Sequence, residues 1–209
     1  MVFFSPLIVF LSVLSYGILH SLLATNSFKS LVRRLFGSYT DRWYRLAYNI
    51  FAIISLLPVL ALPALLPDKP IYVVTDPWVY LMYLGQVLAV GLLLVGFLQT
   101  GMWSFLGFRQ LVTGGEHNET RMVVRGLYRF VRHPLYTAGL VFIWLTPVMT
   151  KNIFALNLGL SIYIVFGAYL EERRLEKEYG AVYRAYKKST PMLVPFLRSR
   201  AERDETVLE

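Results

Sequence analysis

Five runs along the chain contain no Asp, Glu, Lys or Arg: 3–25, 46–67, 77–100, 133–150 and 152–170. Each is close to the ~20 apolar residues, range about 17–25, that a helix needs to cross a bilayer. Polar positions are bunched between the runs. The pattern predicts an all-α polytopic membrane protein with five transmembrane helices. The whole chain, 1–209, is then one membrane-embedded domain, with a three-helix part over 1–100 and a loop, a helical hairpin and a tail over 101–209. The last two runs are separated only by Lys151, and Asn152 opens the second of them. A hairpin that tight returns residues 133 and 171 to the same membrane face.

Local signals refine the elements. Residues 27–36, "SFKSLVRRLF", alternate basic and apolar positions at helical spacing, as an interfacial helix does. Pro58 is expected to kink the second span and Pro67 to end it. Gly85, Gly91 and Gly96 in the third span suit close helix packing. Residues 171–179 continue as a charged helix that Gly180 and Pro191 punctuate. No Lys or Arg precedes the first run, which is also too long for a signal peptide, so it is expected to be a retained helix.

Composition agrees with the pattern. The chain is 56% hydrophobic and 16% charged, against about 25% charged for a soluble domain. Its net charge of +8 could point to nucleic acid, but basic cytoplasmic loops account for it, and membrane lipids rather than nucleic acid are the expected surroundings. The segment 26–45 carries Lys29, Arg33, Arg34, Arg42 and Arg45 against Asp41. The segment 68–76 has only Asp68, Lys69 and Asp76. The segment 101–132 carries Arg109, Arg121, Arg125, Arg129 and Arg132 against Glu116 and Glu119. Basic loops stay on the cytoplasmic side, which puts the N-terminus outside and the C-terminus in the cytoplasm. Cysteine is absent, which excludes disulfides, thiolate metal sites and a cysteine nucleophile; no metal ligand set is expected.

At the hairpin mouth, Arg125, Arg129, Arg132 and His133 come from one side, and Glu171 and Glu172 from the other. Two readings compete. Arginines at helix ends snorkel to headgroups, which suits Arg125 and Arg129. Adjacent carboxylates gain nothing from anionic lipid and need a partner. The functional reading is a polar pocket at the cytoplasmic interface, offering arginine and a helix start to a carboxylate, carboxylates to an ammonium or ribose hydroxyls, and tyrosines to a planar base. S-Adenosylmethionine is one common ligand with all those parts.

"GLYRFVRHPLY", followed about 40 residues later by "EERRLEKEYGAVYRAYKKSTPMLVPF", resembles the isoprenylcysteine carboxyl methyltransferase and phospholipid methyltransferase superfamily of membrane enzymes. Arg132, His133, Pro134, Tyr136, Glu171 and Glu172 match its pattern of an RHP-type motif, a membrane hairpin and paired Glu. Gly139 falls one place later than in many members. "HSLLA", "FIWLTPVMT" and "YRAYKKSTPMLVP" resemble the bacterial membrane methanethiol S-methyltransferase and NnrU-like branch. The resemblance implies S-adenosylmethionine as cofactor, an inner-membrane protein with the cofactor site facing the cytoplasm, and methylation of a small thiol; a prenylcysteine or phospholipid acceptor stays open within it. The expected cofactor set is Tyr128, Arg132, His133, Pro134, Leu135, Tyr136, Glu171, Glu172 and Tyr183, with the tail from Tyr183 to Pro195 closing over the site.

His20, inside the first span, is the candidate base for the thiol proton, since intramembrane ionisable groups are functional candidates; helix packing is its structural alternative. Trp103 and Phe105 could wall an apolar acceptor site or simply pack. The rival from another class is a haem-binding NnrU-like isomerase using His20 and His133 as axial ligands, which leaves the paired Glu without a task.

Overall fold

The computed structural model describes residues 3–100, 108, 122 and 124–195. Trp103, Phe105, Arg109, Glu116, His117, Glu119, Arg121 and Phe196 lie outside the described residues. Among the described residues, four helices are long and apolar enough to cross a membrane: α1 (Ser5–Ala24), α3 (Thr40–Leu65), α4 (Trp78–Thr100) and α6 (Lys151–Tyr179). Apolar side chains point outward along them: Ile53, Ile54, Leu57, Val87, Leu88, Leu94 and Leu98 are all exposed. Rows of exposed aliphatic side chains suit lipid as the solvent, where helices satisfy every backbone hydrogen bond internally. The chain is an integral membrane protein.

The breaks follow the local signals. Thr25 leaves α1 in an extended conformation and its Oγ1 accepts from Phe28 N at 3.2 Å, capping the amphipathic α2 (Asn26–Phe36), which buries none of its residues. Helix α3 keeps Pro58 and Pro63 inside it and stops at Leu65; Leu66 is extended, as the residue before Pro67 must be. Gly180, at φ 56, separates α6 from α7 (Ala181–Ser189).

One run departs from the expected helix. Over 133–150 only Pro134–Trp144 is helical, α5, 11 residues long. Pro147 disfavours helix at Thr146, and Val148–Thr150 form a strand, β2, antiparallel to β1 (Pro70–Val73). Pro70 stands at the strand's first position, where its missing N–H does least harm. Among the described residues, this short two-stranded ribbon is the only strand structure in an otherwise helical fold. The fifth run and the charged segment after it also merge, into the single 29-residue α6.

The described residues fold as two compact units, each drawn from separated stretches: 3–79 and 146–163 in the first, and 80–100, 124–145 and 164–195 in the second. In the first, Val9 and Val13, one turn apart on α1, are wholly buried and Val13 faces Gly159 of α6. The start of α6 is tied to the end of α3: Lys151 N donates to Lys69 O at 3.0 Å and Asn152 N to Asp68 Oδ1 at 3.1 Å. The buried Asn152 Nδ2 donates to Leu66 O and Pro67 O at 3.4 and 3.3 Å. In the second unit, α5 runs antiparallel to α4. Leu145 lies against Gly85, Gln86 Nε2 donates to Phe142 O at 3.2 Å, Leu135 lies against Gly96, and Leu127 N donates to Gln99 Oε1 at 3.2 Å. A Cβ on Gly96 would sit 2.6 Å from Leu135 Cδ2, whereas one on Gly91 would meet nothing within 4 Å.

Candidate active site

The second unit brings the two ends of the α5–α6 hairpin together. A short 3₁₀ turn, Gly126–Arg129, leads to Arg132 and His133, and Pro134 begins α5. Proline is suited to that first helical position because its missing N–H has no intrahelical partner to lose. On α6, Glu171 and Glu172 follow the last apolar residue of the span, Leu170.

Arg132, His133 and Glu172 are 6%, 7% and 4% exposed. Charges so buried must be paired to persist. Arg132 Nε donates to Glu172 Oε1 at 2.6 Å, and Lys187 Nζ lies 3.5 Å from Glu172 Oε2. Arg132 Nη1 donates to Lys187 O at 3.0 Å and to Thr190 O. His133 Nε2 is 3.4 Å from Glu172 Oε1, and Nδ1 is 3.7 Å from Glu171 Oε2. Tyr136 stacks on His133, with ring centroids 5.3 Å apart, and donates to Glu171 Oε2 at 2.9 Å.

The tail is strapped across this cluster. The amides of Arg132 and His133 donate to Pro191 O at 2.9 Å and Met192 O at 3.1 Å. Thr137 Oγ1 donates to Leu193 O at 2.6 Å and Tyr186 OH to Tyr128 O at 2.6 Å. Burial pushes the phenols of Tyr128 and Tyr186 up to about 12, with the Glu171 charge adding to the effect at Tyr128. Burial, then the Glu172 charge, raises Tyr183 further. All three are neutral hydrogen-bonding groups at physiological pH.

Two adjacent carboxylates thus have different surroundings. Glu172 is enclosed by cations, while the Glu171 side chain is 37% exposed. At this cluster two buried polar atoms, Tyr183 OH and His133 Nε2, have no hydrogen-bond partner among the described residues. A buried hydroxyl without a partner is costly, by about 1–3 kcal/mol, and a cluster holding an open carboxylate and an unspent hydroxyl is chemically ready for a polar ligand.

The expected residues therefore divide. Arg132, His133, Tyr136, Glu171, Glu172 and Tyr183 gather in one cluster, and Tyr128 joins it through Tyr186. Leu135 instead directs its side chain at Gly96 of α4. Lys187, Thr137 and Thr190 belong to the cluster and were not among the expected residues. The Ser-Thr-Pro run at 189–191 signals a turn, but nothing local distinguishes the inward Lys187 from Lys188.

His20 lies in the first unit, in a nest of tyrosines. Tyr48 OH is 2.7 Å from its Nε2 and Tyr163 OH 2.5 Å from its Nδ1. Tyr16 lies beside it, ring centroids 5.6 Å apart, and Tyr44 stacks on Tyr48. Both ring nitrogens are engaged by phenols, which leaves neither free for a haem iron. The spacing of Tyr16 with His20 and of Tyr44 with Tyr48, four residues each, is the signal that puts each pair on one helix face.

Residues 83–182 match the family model described as phospholipid methyltransferase, a stretch that includes both hairpin ends. The chain is 27% identical over 196 residues to the Methanethiol S-methyltransferase of Crocosphaera subtropica, a match covering 89% of this chain and 73% of that relative. It is 33% identical over 196 residues to Methanethiol S-methyltransferase 1 of Bradyrhizobium diazoefficiens, covering 88% of this chain and 65% of that relative, just under two thirds of its length. It is 44% identical over 72 residues to the Methanethiol S-methyltransferase of Pseudomonas deceptionensis, covering 34% and 28%. No solved structure matches the chain significantly. The stretch 83–182, which holds both hairpin ends, is thus similar to the phospholipid methyltransferase family, and the relatives matched along most of the chain are methyltransferases by name.

Proposed function

We propose that the chain is an S-adenosylmethionine-dependent thiol S-methyltransferase whose acceptor is a small thiol such as methanethiol. The observation that carries this reading is the meeting of Arg132–His133 with Glu171–Glu172 inside the family-matched stretch. The acceptor class comes from the relatives named methanethiol S-methyltransferase.

The residues present fit the cofactor. When bound, S-adenosylmethionine supplies the methyl group as a sulfonium electrophile. Glu171, the open carboxylate, accepts from an ammonium or ribose hydroxyl. The unspent Tyr183 hydroxyl donates to an acceptor oxygen of the ligand, and the His133–Tyr136 stack offers a face to the base. Arg132 acts indirectly, since its Nε holds Glu172 and its Nη1 holds the tail. The strapped tail excludes water, which favours reaction over hydrolysis and strengthens every electrostatic contact inside. His20 is proposed as the base for the thiol proton, which would reach its acceptor nitrogen through the phenol that donates to it, Tyr48 or Tyr163, and Trp103 and Phe105 are proposed as the apolar wall for the thiol.

Five crossings, with the N-terminus outside and the C-terminus in the cytoplasm, complete the proposal. Helix α3 ends and α6 begins on one side, tied by the ribbon and by Asp68. Helix α4 leaves that side, so the chain must return before residue 146. The stretch 127–145 runs back beside α4 from Gln99 to Gly85. An 11-residue helix rises only about 16 Å, so the non-helical residues that flank it are proposed to complete the crossing. The basic segments 26–45 and 101–132 support placing the cofactor site on the cytoplasmic face of an inner membrane.

The test is incubation of the purified, reconstituted chain with methyl-labelled S-adenosylmethionine and separate thiols, amines and lipids. Label is expected in the volatile thioether formed from methanethiol. Label in phospholipid or prenylcysteine instead, or in no acceptor, would reject the thiol assignment.

A further inference from the structure

Beyond the hairpin cluster, the second unit holds a groove of about 460 Å³ lined by Arg173, Glu176, Lys177 and Arg184. Arg173 and Lys177 are one turn apart on α6. Arg184 joins them from α7, after the chain reverses at Gly180, φ 56. The groove's one carboxylate is already engaged, because Glu176 Oε2 lies 3.4 Å from Lys187 Nζ. Among the described residues, Arg173, Lys177 and Arg184 make no ion pair with any carboxylate.

The height of the groove is set by the helix. The charge-free run of α6 ends at Leu170, so Arg173 stands about 4.5 Å and Lys177 about 10 Å further along the axis. The headgroup layer on each side of a bilayer is about 5–7 Å deep. Arg173 is held at that layer, its guanidinium carbon 5.6 Å from the ring centroid of Tyr169, and tyrosine favours the same depth. Arg173 stands within that layer, and Lys177, just beyond it, reaches back toward it along its long side chain; with Arg184 they make three cations beside one neutralised acid, a site for a phosphodiester anion.

We infer that this groove binds the headgroup of an anionic phospholipid, as a structural lipid held apart from the methyl-transfer cluster. Each Lys or Arg close to a membrane surface strengthens attraction to anionic lipid about fivefold. The inference does not rest on the proposed activity, because retention of lipid is read without cofactor or thiol.

The experiment reconstitutes the full chain in bilayer discs holding equal phosphatidylglycerol and phosphatidylcholine, then counts the lipids retained by native mass spectrometry. The chain is expected to keep phosphatidylglycerol preferentially. R173Q/K177Q/R184Q should lose that preference, by about fivefold for each cation removed. R174Q/K188Q, on the same two helices but outside the groove lining, should keep it. Equal retention by the groove variant, or equal loss by the control variant, would overturn the inference. Displacement of the lipid by millimolar inorganic phosphate would also overturn it, in favour of a free-phosphate site. Should the triple variant fail to fold, R184Q alone, on the exposed face of α7, gives the same reading with one cation's share of the loss.

Discussion

At the residue scale, Glu171 and Glu172 are adjacent and chemically identical, yet their environments separate their roles. Glu172 is 4% exposed and pairs with an Arg132 that is 6% exposed. Glu172→Gln would leave the buried guanidinium without its anion, and breaking one side of a buried pair costs about 3–5 kcal/mol. The thermal midpoint of this variant should therefore fall sharply. Glu171→Gln removes a carboxylate that is 37% exposed, and its stability cost should stay below about 1 kcal/mol. Cofactor affinity measured by calorimetry should fall about tenfold, the loss of one charge-assisted hydrogen bond. Equal thermal midpoints for the two variants, or undiminished affinity in Glu171→Gln, would contradict these separate roles. Which carboxylate is buried was not legible in the sequence. Neighbouring positions on a helix differ by about 100°, and only the packing of α5 and the tail decides which one faces inward.

At the element scale, α4 and α5 touch through a glycine. Because a Cβ at Gly96 would sit 2.6 Å from Leu135 Cδ2, Gly96→Val should overpack the contact and cost about 1–3 kcal/mol. Gly91→Ala, facing open space, should be neutral or slightly stabilising, since alanine is the better helix former. Thermal unfolding in detergent reads both, and Leu135→Ala should recover part of the Gly96→Val loss. No recovery would mean that Leu135 is not what the new side chain meets. The general packing role of these glycines was visible as small residues in an apolar run. Their division into contacting and non-contacting positions was not, because it depends on the face that α5 covers.

At the scale of the whole molecule, topology can be read from labelling. The chain has no cysteine, so single cysteines can be introduced directly. Lys69→Cys and Lys151→Cys, tied together through the backbone at 3.0 Å, should both react with an impermeant maleimide added outside intact cells. Ser38→Cys and Ala181→Cys should react only after permeabilisation. Opposite accessibility of positions 69 and 151 would break the ribbon-side assignment, and labelling of position 181 from outside would reverse the proposed orientation.

The amino-acid sequence by itself determined the apolar spans, the proline-defined helix starts and stops, and the convergence of residues 132–133 with 171–172. Those features follow from local periodicity, from φ restrictions at proline and from the need to match helix length to a bilayer. Only the tertiary structure decided the two-stranded ribbon, the tyrosines on both nitrogens of His20, and the tail carbonyls that occupy Arg132. These depend on partners tens of residues away, chosen by which surfaces pack together, and no local pattern of polar and apolar positions encodes that choice.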